Sequence, residues 1–379
     1  MRNRKPSITA LQLIFLTVGS ALAFPYTFMP ILNAPPSNQD VWIVLIITIV
    51  YMALLNLPLL IIINKLRGHS FNEIFELILG RFFGKLLALF YVLFYLYCFT
   101  ACLLVMAVFI NIYLFPDTPT WAILLTFLLA ATYAAYKGEG VIGRLSTIFV
   151  PIIIFTIIIF FLMGIGKMDW RILLPILADS KFLDLNLGAL LTAARYSEIL
   201  IFLLFSQFLD RQVSINKTYV RAVLVFAVNF MLILLPTILV LGIDFARIAW
   251  NPYYVYTRQV EALGFLERMQ AINTLAWFPL ALLKLSLYNF MASHVFAGVL
   301  GAKSYKPFVI PISVLGFIVC LLPFLNTSST IELLRSDKVF PFVSLPVIFG
   351  FPLILLIVYL IRRKKINLML RRRQQAAGQ

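Results

Sequence analysis

Ten stretches of 19 to 34 residues run through this chain almost without charge: 6–39, 41–63, 86–115, 118–136, 145–166, 185–209, 222–243, 269–302, 307–331 and 339–361. About 20 apolar residues in a helix cross the ~30 Å hydrocarbon core of a bilayer. Backbone N–H and C=O groups in lipid must be satisfied within the segment, so such stretches fold as helices. The expectation is an all-α polytopic membrane protein of ten transmembrane helices. Charged residues make up only 12% of the chain, against about 25% in soluble domains, so a soluble enzyme is excluded. Residues 1–361 read as a single ten-helix transmembrane domain, and 362–379 as a basic cytoplasmic tail. Cys98, Cys102 and Cys320 all fall inside apolar runs, where they read as small buried hydrophobes rather than a disulfide framework.

Direction follows from lysine and arginine placement. With the N-terminus inside, that terminus, alternate connectors and the tail hold 21 basic residues on the cytoplasmic side against eight outside. Both termini are therefore expected in the cytoplasm. The net charge of +16 is spread over loop ends and tail rather than gathered on one face, which argues against a nucleic-acid partner. The tail, with Arg362-Arg363-Lys364-Lys365 and Arg371-Arg372-Arg373, reads as an anchor against anionic lipid, with partner docking as the alternative. Arg2–Lys5, the apolar run and Ala21-Leu22-Ala23 also imitate a cleavable signal peptide, although the run continues well past that point.

Three segments depart from a plain bundle. The first contains Gly19-Ser20-Ala21, then Pro25 and Pro30. Unwinding at the small residues would free amides to hold an anion such as a carboxylate; the other reading is that they let a neighbouring helix approach. The sixth contains Ala193-Ala194-Arg195-Tyr196-Ser197-Glu198. Each mid-membrane charge costs at least ~2.5 kcal/mol, so the pair needs a reason: mutual neutralisation of Arg195 and Glu198, or a Glu198 that faces a cavity and meets an ammonium or a proton. No glycine or proline marks a break at that motif. The eighth contains Lys284, preceded by fifteen uncharged residues, with Tyr288 one turn on. A lysine so far from a helix end cannot snorkel and needs a carboxylate, a ligand or a hydrated cavity. His294 reads as a packing histidine. His69, the other histidine, lies in a loop, so neither a metal site nor a cofactor site is expected, and no nucleophile–base spacing suggests an enzyme.

The first and sixth segments lie five apart. Five is odd, so a five-helix unit repeated in one chain inserts with opposite topology and gives an inverted-repeat transporter with its irregular helices at equivalent places.

Several motifs carry a family resemblance: Ile8-Thr9-Ala10-Leu11-Gln12-Leu13 leading to Gly19 and Pro25; Ser197-Glu198 followed by Ile-Leu-Ile-Phe; and Arg258-Gln259-Val260, Phe265-Leu266-Glu267-Arg268, Trp277, Lys284 and Tyr288. In these the chain resembles the spore germinant-receptor B subunits, the endospore germination permeases of the amino acid–polyamine–organocation superfamily. Two positions depart: Val18-Gly19-Ser20 stands where the family often has G-x-G, and Gln270 where a second acid often follows F-L-E-R. The resemblance implies a LeuT-like 5+5 inverted repeat with broken helices one and six. It also implies the inner membrane of a spore and a site for an amino acid or similar small-molecule germinant. Partners would be an A subunit and a lipoprotein C subunit, and binding would trigger release of ions and dipicolinate. The ligand site is expected at Gly19, Ser20, Ala21, Tyr196, Ser197, Glu198, Lys284 and Tyr288. Arg195, Glu198 and Lys284 are expected to form an intramembrane charge network, and Pro25, Glu267, Arg268 and Trp277 to be structural. The alternative is a proton-coupled amino-acid permease that moves its ligand.

Overall fold

The computed structural model describes residues 7–196, 198–260, 270–321 and 339–377, with side chains to 370. Ser197, Glu267 and Arg268 lie outside the described residues. The described chain is helical, with one isolated parallel bridge, Ile8 to Leu209. Among the described residues eight helices are long and apolar enough to cross a membrane. The sixth expected segment appears as two shorter apolar helices, and the described part of the ninth forms the apolar helix Lys306–Leu321. Phe82, Phe83, Leu129, Phe155 and Val228 lie open on the outside of the bundle, as a lipid-facing surface requires. This is a multi-pass membrane protein.

Helix α1 (Ala10–Thr27) opens with a capping box: Thr9 Oγ1 accepts from the Gln12 amide and Gln12 Oε1 accepts from the Thr9 amide, satisfying two otherwise orphaned donors. The second span is Val41–Leu55 (α2) continued by Leu57–Lys65 (α3), and the amphipathic Phe71–Leu79 (α4) leads to the long α5 (Arg81–Tyr113). Then come α6 (Thr120–Lys137), α7 (Glu139–Gly164), the two short pieces α8 (Phe182–Ala193) and α9 (Ile199–Phe205), and α10 (Ile215–Leu241). Two short helices, α11 (Ile243–Ile248) and α12 (Pro252–Gln259), precede α13 (Gln270–Leu300) and α14 (Lys306–Leu321). The chain closes with α15 (Val339–Leu345) and α16 (Phe351–Ala377).

The core of the bundle is built from α1, α5 and α13, whose most apolar windows are 72%, 72% and 78% buried, against 33% for α6 and for the span containing α7. Helix α13 packs on α5, α7, α6 and α1, while α1 also packs on α10 and α9. Leu13–Ala23, which a signal-peptide reading would remove, therefore lie at the centre of the fold.

The structure corrects the expected point of unwinding in the first span. Helix α1 runs unbroken through Gly19-Ser20-Ala21. A Cβ at Gly19 would stand 2.6 Å from Val150 on α7 and 3.0 Å from Leu280 on α13, so the small residues serve close helix approach. The helix ends lower, at Thr27. Pro30 pushes Met29 out of the α region (φ −118°, ψ 70°) after an extended Phe28, and a short 3-10 turn, Pro30–Asn33, follows.

The sixth span is interrupted, although neither glycine nor proline marks the place. α8 stops at Ala193, and α9 begins at Ile199. Between them the amides of Arg195 and Tyr196 reach back only three residues, to the Thr192 and Ala193 carbonyls. At the far end of α9 the chain runs on through Phe208, whose carbonyl accepts from the Ser7 amide at 3.0 Å.

Candidate ligand site at the helix-six break

The break directs two consecutive charges to different places. Glu198, 2% exposed, turns toward α1 and α13. Its Oε1 accepts from Lys284 Nζ at 2.9 Å and from Ser20 Oγ at 3.3 Å. Lys284, fully buried, also donates to the Ser20 carbonyl at 2.7 Å. The Phe24 ring covers the ammonium with its centroid 3.9 Å from Nζ, and the Tyr288 ring lies 5.6 Å away. Lys284 therefore ties the unbroken first helix to the interruption of the sixth. Glu198 Oε2 is buried and makes no hydrogen bond among the described residues. Removing one member of such a buried pair strands the other, at a cost of roughly 3–5 kcal/mol.

Arg195 points elsewhere. Its guanidinium carbon lies 5.9 Å from the Phe340 ring centroid, and it lines a cavity of about 30 Å³ with Phe24, Phe28, Val105, Tyr196 and Phe340. Tyr196 is 4% exposed and packs on Phe226 and Phe230 of α10 with centroids 4.7 and 5.9 Å away. A smaller cavity of about 10 Å³ lies on the Lys284 side of Phe24, bordered by Cys102, Met106 and Trp277. A third, of about 30 Å³, shares Phe28 and Val105 with the first and reaches Trp250 and Asn251.

The other expected residues divide by role. Ser20 reaches the charge pair through both its hydroxyl and its carbonyl. Ala21 is buried inside α1 and Gly19 serves packing. Pro25 lies within α1 and, having no N–H, leaves the Ala21 carbonyl without its helical donor. Trp277 donates from Nε1 to the Ala23 carbonyl at 3.3 Å and meets Phe109 at 4.8 Å, which fixes α13 against α1 and α5. His294 packs among Phe208, Phe290 and Tyr305. It borders a chamber of about 470 Å³ at the N-terminal end of the bundle, lined also by Ser7, Glu139, Gln207 and Lys303. Among the described residues no group of three or more His, Cys, Asp or Glu could hold a metal ion.

Phe24, Phe28, Val105 and Phe340 were not expected in the site. Phe24 had a signal: it stands four residues after Ser20 and so shares its helix face. Phe28 follows Phe24 by four residues at the end of the same helix, whereas Val105 and Phe340 come from distant segments and carried none.

The family model described as Spore germination protein matches residues 7–329. The putative spore germination protein YfkT of Bacillus subtilis (strain 168) is 23% identical over 365 residues, 94% of this chain and 96% of that protein. Spore germination protein YndE of the same organism is 24% identical over 173 residues, 45% of this chain and 48% of YndE; the matched stretch thus spans about half of that relative's length. Among solved structures, MhsT in complex with L-phenylalanine superposes with a TM-score of 0.62 at 13% identity, covering 94% of this chain and 90% of MhsT. That likeness shows the fold, the LeuT-like architecture expected above.

Proposed function

Since the chain belongs to the spore germination protein family, we propose that it is the integral-membrane B subunit of a nutrient germinant receptor, built on an amino-acid-permease fold. It binds an amino acid or a similar small molecule where helices α1, α8–α9 and α13 meet. One observation carries this reading: a fully buried ammonium and carboxylate, Lys284 and Glu198, join an intact helix to a broken one. Charges so placed are expensive and mark function in membrane proteins, and discontinuous helices form the sites of this class of fold. The ligand's ammonium meets Glu198, whose second oxygen makes no hydrogen bond among the described residues. Its arrival competes with Lys284 for the carboxylate and loosens the tie to Ser20. That change in helix packing is the signal passed to an A subunit and a lipoprotein C subunit in the spore inner membrane, with both termini of this chain cytoplasmic. The protein catalyses no reaction and needs no cofactor, and its basic tail lies against anionic lipid.

A second reading, a proton-coupled permease that moves its ligand, draws support from the chamber of about 470 Å³ beyond the Phe208–Phe290–His294 cluster, a ready exit toward the N-terminal side. Reconstitution separates the two. The receptor reading expects saturable amino-acid binding without accumulation in proteoliposomes, and spores carrying Lys284→Met are expected not to respond to the germinant. Accumulation of labelled amino acid by the isolated chain would favour the permease, and absence of binding would remove both.

A further inference from the structure

The last helix does not release its basic tail where the apolar run ends. On α16 Leu355, Tyr359 and Ile366 are buried in the core, and Ile366 lies past the basic run that begins at Arg362. Arg362 falls on the same stripe, at helical spacing between Tyr359 and Ile366. Its guanidinium donates to the Ile78 carbonyl at the end of α4, and α16 packs on α3 and α4. The start of the tail is thereby docked at the corner where α4 gives way to α5, three residues before Arg81.

Docking one face of α16 fixes the other. Arg363, Lys364 and Lys365 are exposed, and so is Arg81, with Lys85 half-buried one turn further along α5. Against these cations α4 sets two carboxylates, Glu73 and Glu76, and Glu73 already accepts from the Ser70 amide in its own capping box. From this corner two rows of open apolar side chains run along the bundle: Phe82, Phe83 and Leu86 on α5, and Ile361, Leu360 and Ile357 on α16. Phe82 is 75% and Ile361 78% exposed, which leaves them to lipid. The two elements meet deeper in the span, where Tyr91 Oη donates to the Val347 carbonyl at 2.9 Å and the Phe90 ring lies 6.1 Å from that of Phe351.

Resting on the placement of the tail against lipid given above, and sharpening it, we propose that this corner is a binding site for an anionic phospholipid whose head group carries two phosphates. Guanidinium and ammonium groups bind phosphate oxygens through charge-assisted hydrogen bonds, and basic pockets between transmembrane helices hold head groups of this kind. The cations are divided between two helices, Arg81 and Lys85 on α5 and Arg363–Lys365 on α16, which suits two phosphates on one short linker. The acyl chains lie along the two apolar rows. A soluble anion would use the cations and leave those rows without a role. A lipid held in this way ties α5 to α16 beside the bond that Arg362 makes to α4.

The test uses the full chain reconstituted in phosphatidylcholine bilayers that contain either diphosphatidylglycerol or phosphatidylglycerol at matched total charge. The protein is extracted in a neutral detergent, and its retained lipid and thermal unfolding midpoint are measured. On the unaltered chain diphosphatidylglycerol should be retained roughly tenfold better than phosphatidylglycerol, the scale of one charge-assisted hydrogen bond, and should raise the midpoint. Arg81→Gln with Lys85→Gln should remove most of that preference. So, separately, should Arg363→Gln, Lys364→Gln and Lys365→Gln together. Equal retention of the two lipids, or an undiminished preference after either set of changes, overturns the site and leaves the tail as a general anchor on negative charge. Retention of neither lipid overturns the anchor as well. Displacement by inorganic phosphate, but not by chloride at equal ionic strength, overturns the proposal by assigning the corner to a soluble anion. The comparison of lipids on the unaltered chain decides the matter even if a variant folds poorly, and the receptor reading stands or falls on amino-acid binding alone.

Discussion

The first span holds Gly19, Ser20 and Ala21 and stays helical to Thr27. The sixth holds neither glycine nor proline between Ala189 and Leu209, yet it is interrupted between Ala193 and Ile199. Small residues in the first are used up by contact: Val150 and Leu280 press where a side chain at Gly19 would go, and packing of that kind holds a helix straight. In the sixth, Glu198 turns to a buried lysine while Arg195 turns to a cavity bordered by Phe28 and Phe340. A continuous helix puts residues three apart on one face and cannot serve both. In this chain the demand of two charges for different surroundings marks the break better than backbone permissiveness does.

That contrast can be broken experimentally, and the largest effect is expected where the two spans are tied. Lys284→Met leaves Glu198 buried without its cation, and the stability loss should be roughly 3–5 kcal/mol. Protein level in the membrane and midpoint of thermal unfolding in detergent would both fall; an unchanged midpoint would mean that the pair is not what joins α1 to the break. Next comes Gly19→Val. Overpacking against Val150 and Leu280 should cost roughly 1–3 kcal/mol, read as lower abundance, while amino-acid binding by any surviving protein stays unchanged. If Gly19→Val were well tolerated but altered ligand preference, the first span would be a flexible ligand contact after all. The smallest effect is expected from Trp277→Phe, which keeps the ring packing on Phe109 and loses one hydrogen bond to Ala23, roughly 0.5–1.5 kcal/mol.

Much of this was legible in the residues. Lys284 follows fifteen uncharged positions, too deep to reach either interface, so its need for a partner could be read directly, and Glu198 was among the few candidates. The LeuT-like fold was legible in the uncharged segments together with the germination-permease motifs. What failed was the place of unwinding in the first span. Gly19-Ser20-Ala21 has the composition of either a hinge or a contact patch, and only the neighbours, Val150 on α7 and Leu280 on α13, decide between them. Phe28 and Phe340 were hidden for a different reason. Phenylalanine is common throughout a chain that faces lipid, so an aromatic that covers a cation looks the same in sequence as one that meets acyl chains.

The central claim is that Lys284 and Glu198 form the responsive centre rather than a structural staple, and one double substitution separates the two. Lys284→Met with Glu198→Gln removes both charges together and leaves no stranded ion, so membrane abundance should recover toward that of the unaltered protein. Germinant response is then measured in spores at matched protein level. The account predicts a normal amount of protein and no response. A full response from the doubly substituted protein at normal abundance would contradict it and reduce the pair to a tie between helices.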